Sequence, residues 1–584
     1  MTSSIPPRAQ RGEVPAQRAE GSSLIGQTHD PSGLRPPHPS VGRQSNLDPI
    51  TVEVIGAALG SIVEECGETL IRASHSTNIK ERRDCSTALF NAAGETLCQA
   101  EHIPIHLGSF LDLVPHIMRR YPVESLRPGD AFIGNDAYEG GGTHLPDIVL
   151  AEPIFVEDRL VAWTVNLAHH ADFVDRGHAH IYQEGLRIPP VRLYRAGELQ
   201  ADVQDLILLN CQVPAERLSD LRAQRAANRV GVQRFEALAA KYGSETVLAA
   251  GAALMDYAER RMRAAIAAMP DGTWRFDDVF DNEEVEGTLP LGVEVTVKGD
   301  AMTLAFDAPE QRRAGINMTY TALLATTYYV VKSVLDPTIP PNAGLARPLT
   351  ITAPPGSILN CLPPAAVNGR LQTCQRIADM VLGALAQAVP ERVMACSNSA
   401  CTVAYFIGKR PNDGSTWVYL ETIGGGSGAR AHKDGLDGVH VHTTNTSNLP
   451  VEALEIEYPL TLMRYELVED SGGVGKYRGG MSLRRVYQAT HDCRVRVDLT
   501  RQRSQSWGLS GGGPGGHGKV EAGPGVVFEG DSAVLKAGQW FALVTPGAGG
   551  FGPPAERDPA AVARDLAEGA ITAPTARAIY GLTN

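Results

Sequence analysis

The sequence predicts an α+β protein, a large mixed domain of helices and antiparallel sheets with a glycine-rich, strand-dominated C-terminal half. Three observations lead there. Apolar residues recur at helical spacing in some segments and alternate in others. The 60 Gly and 39 Pro among 584 residues punctuate the chain too often for a helical bundle. Hydrophobic residues at 43% against 20% charged supply an ordinary globular core. At about 100–200 residues per domain, the length suits three or four domains or fewer large ones.

Residues 1–47 are rich in Pro, Ser, Gly, Gln and Arg and poor in apolar groups, so they are expected to be disordered. Order is expected from Asp48-Pro49, an N-cap followed by proline at the first helical position. Ile55, Leu59, Ile62, Val63, Cys66 and Leu70 then keep helical spacing to about Ser74. Ser86–Asn91 and Thr96–Gln99 read as strands around a turn at Gly94, and Ser109 as the cap of a helix carrying Leu111, Val114, Ile117 and Met118. Ala131–Gly134, Ile148–Phe155 and Leu160–Ala168 read as strands, the last two joined through a hairpin at Glu157-Asp158. Residues 202–268 are expected to be helical, with a boundary near 270. Beyond it, Gly272–Asp281 and Val293–Phe306 alternate like antiparallel strands. Helices are predicted around Tyr320–Leu335, Ile377–Ala388 and Pro559–Glu568, with glycine-punctuated strands from 415 to 553.

Charge and cysteine usage exclude several classes. Acidic residues outnumber basic ones 66 to 53, and no long basic run compensates, so no nucleic-acid partner is expected. No apolar stretch approaches the ~18–20 residues of a membrane span. The amino end lacks the pattern of a secretory signal. Nine scattered Cys without a CxxC fit reduced thiols, and the expectation is a cytoplasmic enzyme.

Histidine concentrates where the chemistry is expected. Eight of the sixteen lie between positions 102 and 180. Two stretches stand out there: Gly140-Gly141-Gly142-Thr143-His144-Leu145-Pro146-Asp147 and Asn166-Leu167-Ala168-His169-His170-Ala171-Asp172. The glycines permit close backbone approach, and the second stretch ends an apolar strand. One His and one Asp from the first, with one His from the second, make a 2-His-1-carboxylate set. Such a set suits Mn²⁺, Fe²⁺ or Zn²⁺ and leaves positions open for water and substrate.

Phosphate loops are poorly represented. Gly513-Pro514-Gly515-Gly516-His517-Gly518-Lys519 approaches a Walker A pattern, but Val520 stands where Ser or Thr would meet Mg²⁺. A surface turn is the better expectation, and the chain is predicted to lack its own nucleotide site.

Several stretches together resemble the hydantoinase B/oxoprolinase family. They are Glu81-Arg82-Arg83-Asp84-Cys85-Ser86, residues 99–109 around His102-Ile103-Pro104-Ile105-His106, Thr143–Asp147, Ala168–Asp172, Asp437–His442, Asp470–Gly473 and Thr545–Gly552. The resemblance runs from about Asp48 to Gly552. It implies a metal-bearing N-terminal half at 48–270, a strand-rich half of the same region at 271–552 and a tail at 553–584.

By that resemblance the chain is expected to be the B-type component of an ATP-dependent cyclic-amide hydrolase opening hydantoin, N-methylhydantoin, 5-oxoproline or lactam rings. A partner of the hydantoinase A type, an ATP-binding subunit, would hold ATP-Mg and phosphorylate the small-molecule substrate, making a hetero-oligomer. The family pattern HxxD followed by a more distant His maps onto His144, Asp147 and His169 as metal ligands. Asp84 is implied as a further ligand or base, unless Arg82 or Arg83 pairs with it. Metal-activated water would attack the phosphorylated substrate while Asp84 or His106 takes a proton, and His170 and Asp172 would fix an imidazole tautomer. The alternatives are the large subunit of an ATP-dependent ketone carboxylase of the acetone or acetophenone type, or a subunit that only stabilises its partner. Asn368-Gly369-Arg370, Val441 and Thr443 depart from the family's usual residues, which bears on substrate choice.

Overall fold

A computed structural model describes residues 47–100, 102–170 and 176–582. Apart from Leu47, the segment expected to be disordered lies outside the described residues, as does Asp172. Helix α1 (Pro49–Ala73) begins as its sequence dictates, with the Asp48 carboxylate accepting from the Thr51 amide at 3.0 Å. A short helix α2 (Thr77–Lys80) leads to β1 (Cys85–Asn91) and β2 (Thr96–Gln99). Then come α3 (His106–Ser109), α4 (Leu113–Arg120), β3 (Ala131–Gly134), β4 (Asp147–Val156), β5 (Arg159–His169), β6 (Val191–Arg195) and β7 (Glu198–Leu199). The seven strands form one antiparallel sheet in the order β2-β1-β5-β4-β3-β6-β7.

This sheet is buried on both faces, which explains its near-continuous apolar runs. On one side α1 and a long helix α6 (Pro214–Tyr242) pack Ile55, Leu59, Val232 and Phe235 against Leu89 and Val161. On the other, α4 packs Leu113, Val114 and Ile117 against Phe90, Phe132 and Trp163. Leu89 and Phe90 are neighbours that feed opposite cores, as strand alternation requires. The β4–β5 hairpin turns through Glu157 and Asp158, both at positive φ (51° and 62°), the conformation of a tight two-residue turn.

The stretch expected to be helical over 202–268 is helical, as three helices: α5 (Ala201–Leu209), α6 and α7 (Ser244–Ala267). Pro214 opens α6, and Gly243 at φ 84° separates α6 from α7. Next are β8 (Gly272–Phe280), β9 (Leu289–Lys298), β10 (Ala301–Asp307), α8 (Tyr320–Leu335), β11 (Leu349–Thr352) and α9 (Arg370–Leu385). Sheet β11-β10-β9-β8 and helices α7, α8 and α9 share the largest apolar core. Helix α9 starts seven residues before its expected origin at Ile377, and its first residue is Arg370.

The remaining strands are β12 (Thr402–Lys409), β13 (Thr416–Ile423), β14 (Gly425–Gly426) and β15 (Asp437–Val439). After helix α10 (Val451–Glu457) come β16 (Leu460–Leu467), β17 (Leu483–Ala489), β18 (Cys493–Asp498), β19 (Lys519–Ala522), β20 (Ser532–Leu535) and β21 (Trp540–Val544). Sheets β13-β12-β18-β20 and β16-β17-β21-β19 share a core that includes Phe406, Tyr419, Tyr487 and Phe541. Helices α11 (Pro559–Ala567) and α12 (Ala573–Ala578) close the described chain.

Two local expectations are corrected. Ser109 is not a cap: it ends α3, its hydroxyl donates back to the Ile105 carbonyl at 3.3 Å, and the following helix starts after Asp112. The run around Gly513–Gly518 is less a surface turn than a closely packed glycine segment. A Cβ at Gly515 would meet the Gly547 carbonyl oxygen at 2.2 Å. The amides of Gly513, Gly515, Gly516 and Gly518 all donate to backbone carbonyls, so they form no phosphate cradle.

Candidate metal centre

The site forms where two antiparallel strands end. Asp147 opens β4 and His169 closes β5, and the register sets them directly opposite each other. His144 lies one turn earlier in the glycine-flanked bend; its carbonyl accepts the Asp147 amide at 3.2 Å. The rings of His144 and His169 are 4.9 Å apart between centroids. One ligand atom from each of His144, Asp147 and His169 lies within 4.8 Å of the other two.

The donor chemistry suits a divalent ion. His144 Nδ1 lies 3.3 Å from the Asn368 carbonyl oxygen, where it can only donate, which turns the Nε2 lone pair toward Asp147 Oδ1 at 3.1 Å. In that tautomer both atoms present lone pairs to one point, whereas in the other Nε2–H donates to the carboxylate. Their spacing matches two neighbouring ligands about 3 Å apart on an ion with bonds of about 2.1 Å. The other Asp147 oxygen is occupied, accepting from Arg370 Nη2 at 3.0 Å and from the Thr143 hydroxyl at 3.4 Å.

Electrostatics keep these donors in their ligating forms. Burial pushes the Asp147 carboxyl up, but the His144 imidazole and Arg370 guanidinium outweigh it and hold it well below the usual carboxylate range. Burial and then the Arg370 charge lower His144, while burial takes His169 down to about 4 against the opposing pull of Asp84.

The ring orientations are set from other elements. Asn78 in α2 directs its amide nitrogen to the His169 carbonyl (2.8 Å) and lies 3.1 Å from His169 Nδ1. Arg82 in turn donates to Asn78 Oδ1 at 3.1 Å and to the Leu420 carbonyl at 2.9 Å. His170, expected to fix a tautomer, points to the other face of β5 and meets Gln224 Oε1 at 3.1 Å instead. Alternation along the strand separates it from His169.

Asp84 precedes β1, and its carbonyl accepts the His169 amide at 3.0 Å. It forms no ion pair among the described residues: Arg82 is engaged with Asn78 and the 420–446 region, and Arg83 meets Glu68 at 3.2 Å. Burial raises the Asp84 carboxyl against the pull of His169 and Arg82. His106 opens α3, with Nδ1 2.8 Å from the Ser86 hydroxyl; burial lowers it to about 4. Asp84, His106, His144, Asp147 and His169 line one cavity of about 40 Å³, with Asn368 and Arg370 across from them. That is room for about three water-sized positions.

Arg370 and Asn78 are absent from the expectations as functional residues. Arg370 carries a signal, because it falls in the stretch that departs from the family pattern. Asn78 carries none, since a lone amide in a short helix has no distinguishing spacing.

Residues 48–554, which contain every one of these groups, match the sequence model of the hydantoinase B/oxoprolinase family. A putative D-/L-hydantoinase, in its B component, from a Pseudomonas strain is 33% identical, over 92% of this chain and 95% of its own length. The beta component of the caprolactamase of Pseudomonas jessenii is 31% identical, over 92% of this chain and 96% of its own. The crystal structure of that organism's ATP-dependent caprolactamase superposes with a TM-score of 0.83 at 29% identity, covering 92% of this chain and 97% of the matched one. A nucleotide-free acetone carboxylase reaches the same TM-score at 20% identity over 92% of this chain and 80% of the other, a likeness of fold. Among the described residues no helix is long and apolar enough to cross a membrane.

Proposed function

The chain belongs to the hydantoinase B/oxoprolinase family, and from that premise we propose that it is the B-type subunit of an ATP-dependent cyclic-amide hydrolase. Its substrate would be a hydantoin, 5-oxoproline or a lactam, phosphorylated by a partner A-type subunit that holds ATP-Mg. The observation that carries this reading is the convergence of His144, Asp147 and His169 on one buried point. The bend and strand ends within 48–270 supply the donors, while Asn368 and Arg370 from 271–552 close over them.

A divalent ion held by these three residues supplies Lewis-acid chemistry, acidifying water or polarising a carbonyl oxygen. The chain's own groups do the rest. Arg370 balances the Asp147 charge and fixes which carboxylate oxygen faces the ion. Asp84, its affinity for protons raised by burial, and His106, held neutral beside Ser86, are placed to accept and return a proton within the cavity. Such placement serves a ring-opening in which a phosphorylated amide oxygen has already made the carbon electrophilic. The cavity, about 40 Å³, has room for an ion and water beside these groups.

The test is reconstitution with an A-type subunit. ATP turnover should rise with a hydantoin, 5-oxoproline or a lactam, with ring-opened product formed in step. His144→Ala should lose both bound metal and ring opening. ATP turnover stimulated only by a ketone with bicarbonate, or full ring opening by the metal-free variant, would overturn the reading.

A further inference from the structure

A second cluster of chemistry-bearing side chains lies outside the donor triad. Two adjoining hollows of about 440 and 500 Å³ share Tyr329, Met394, Arg430 and His442. The larger also touches Thr446, which lines the metal cavity as well, so one thin wall separates the two spaces.

His442 is held in place from below. Its Nε2 lies 2.9 Å from Asp379 Oδ1, and both side chains are almost fully buried. Asp379, in the middle of α9, also accepts the Ser397 amide at 2.9 Å and the Ser397 hydroxyl at 2.8 Å. Burial pushes the Asp379 carboxyl up, but His442 and Ser397 hold it at about 2. The His442 backbone has φ 51°, in the left-handed region that a histidine enters only under strain. With Nε2 committed to Asp379, Nδ1 faces away from the pair and has no hydrogen bond among the described residues.

Arg430 supplies the complementary charge. Its guanidinium is only partly buried and has no carboxylate within ion-pair distance among the described residues. Tyr329 ties the two together: its ring meets the His442 imidazole edge-on at 6.1 Å, and its hydroxyl feels both Asp379 and Arg430. A buried His–Asp pair alone would be a brace between α9 and the 437–446 segment. An unpaired guanidinium opening onto the same groove gives the pair a ligand to face.

We propose that Arg430 and His442 form an anion-binding site, for a phosphoryl or carboxylate group, in the groove behind the Thr446 wall of the metal cavity. Arg430 offers paired donors to two oxygens of the anion. With Nε2 donating to Asp379, Nδ1 of His442 accepts from a protonated oxygen of the anion. The whole chain carries a net charge of −13, so small anions are repelled unless a local site holds them. The assignment is independent of the cyclic-amide reading.

Equilibrium dialysis of the full chain against radiolabelled inorganic phosphate, and separately against radiolabelled acetate, at fixed chloride tests it. Saturable binding at one site is expected, weakened at least tenfold by Arg430→Met and by His442→Gln. Retention of phosphate alone identifies a phosphoryl subsite, and of acetate alone a carboxylate subsite. Binding should persist in metal-stripped protein, which separates this groove from the metal cavity. Should His442→Gln fail to fold, Arg430→Met at the groove's rim decides the matter by itself. The proposal falls if the wild-type chain retains neither anion, if Arg430→Met binds as tightly as wild type, or if metal removal abolishes binding.

Discussion

The Arg370 guanidinium reaches the Asp147 carboxylate with Nη2 3.0 Å from Oδ2, both side chains withdrawn from solvent and 223 residues apart in sequence. This contact joins the first residue of α9 to the first residue of β4, and it makes the candidate centre a product of both halves of the chain. It also divides the carboxylate: one oxygen accepts from the guanidinium, and the other faces His144 Nε2 at 3.1 Å.

Replacing Arg370 with Met should therefore destabilise the metal-free chain by about 3–5 kcal/mol, because a buried carboxylate loses its counter-charge. A divalent ion restores positive charge beside the same group, so the loss should shrink when metal is present. Denaturant unfolding with and without a chelator measures both numbers. Equal losses in the two conditions would mean that Arg370 and the ion do not share Asp147.

Chelation is the direct probe of the donor set. Metal at a hundredfold excess over its dissociation constant stabilises the folded chain by about 2.7 kcal/mol, and a chelator should remove that increment. His144→Ala, Asp147→Asn and His169→Ala should each melt at one temperature regardless of chelator. A chelator-sensitive melting temperature in all three variants would place the ion elsewhere.

Asn78 should matter without touching the ion. It is positioned by Arg82 and reaches the His169 carbonyl at 2.8 Å and ring nitrogen at 3.1 Å, so it fixes the imidazole plane. Asn78→Ala should weaken metal affinity by roughly 10–100-fold, the usual cost of losing a group that orients a ligand. Metal titration of the purified variant reads this directly; an unchanged affinity removes Asn78 from the site.

These contacts show how far the sequence could be read. The glycine-flanked His144–Asp147 bend and the strand ending in His169-His170 are visible because ligand types concentrate there at a recognisable spacing; the choice of His169 over His170 rests on the family resemblance alone, and the strand register sets His169 opposite Asp147. Helix α1, the β4–β5 hairpin and α8 are legible from capping, turn and periodicity signals that act over a few residues. Arg370, Asn368 and Asn78 are not, because their roles arise only when α9 and α2 pack over the sheet edge. The three-way division of 201–267 escapes for a related reason. Apolar periodicity runs across the breaks, and Pro214 and Gly243 are weak signals until the neighbouring packing is known.

Acid should unfold the chain in part through His106. Its imidazole is buried, bonded to Ser86 and lowered to about 4, whereas in the unfolded chain it titrates near 6.5. A depressed folded value means that the neutral ring's contribution is fully present above pH 6.5 and is lost as pH falls toward 4. Over that window the unfolded state takes up a proton that the folded state resists, which amounts to about 3 kcal/mol from this one group. His106→Gln keeps a hydrogen-bonding side chain of similar reach but cannot titrate. Its unfolding free energy, measured from pH 7 to pH 4, should fall less steeply than that of wild type. Parallel curves would show that His106 is protonated at the same pH in both states, and that burial beside Ser86 does not hold it neutral.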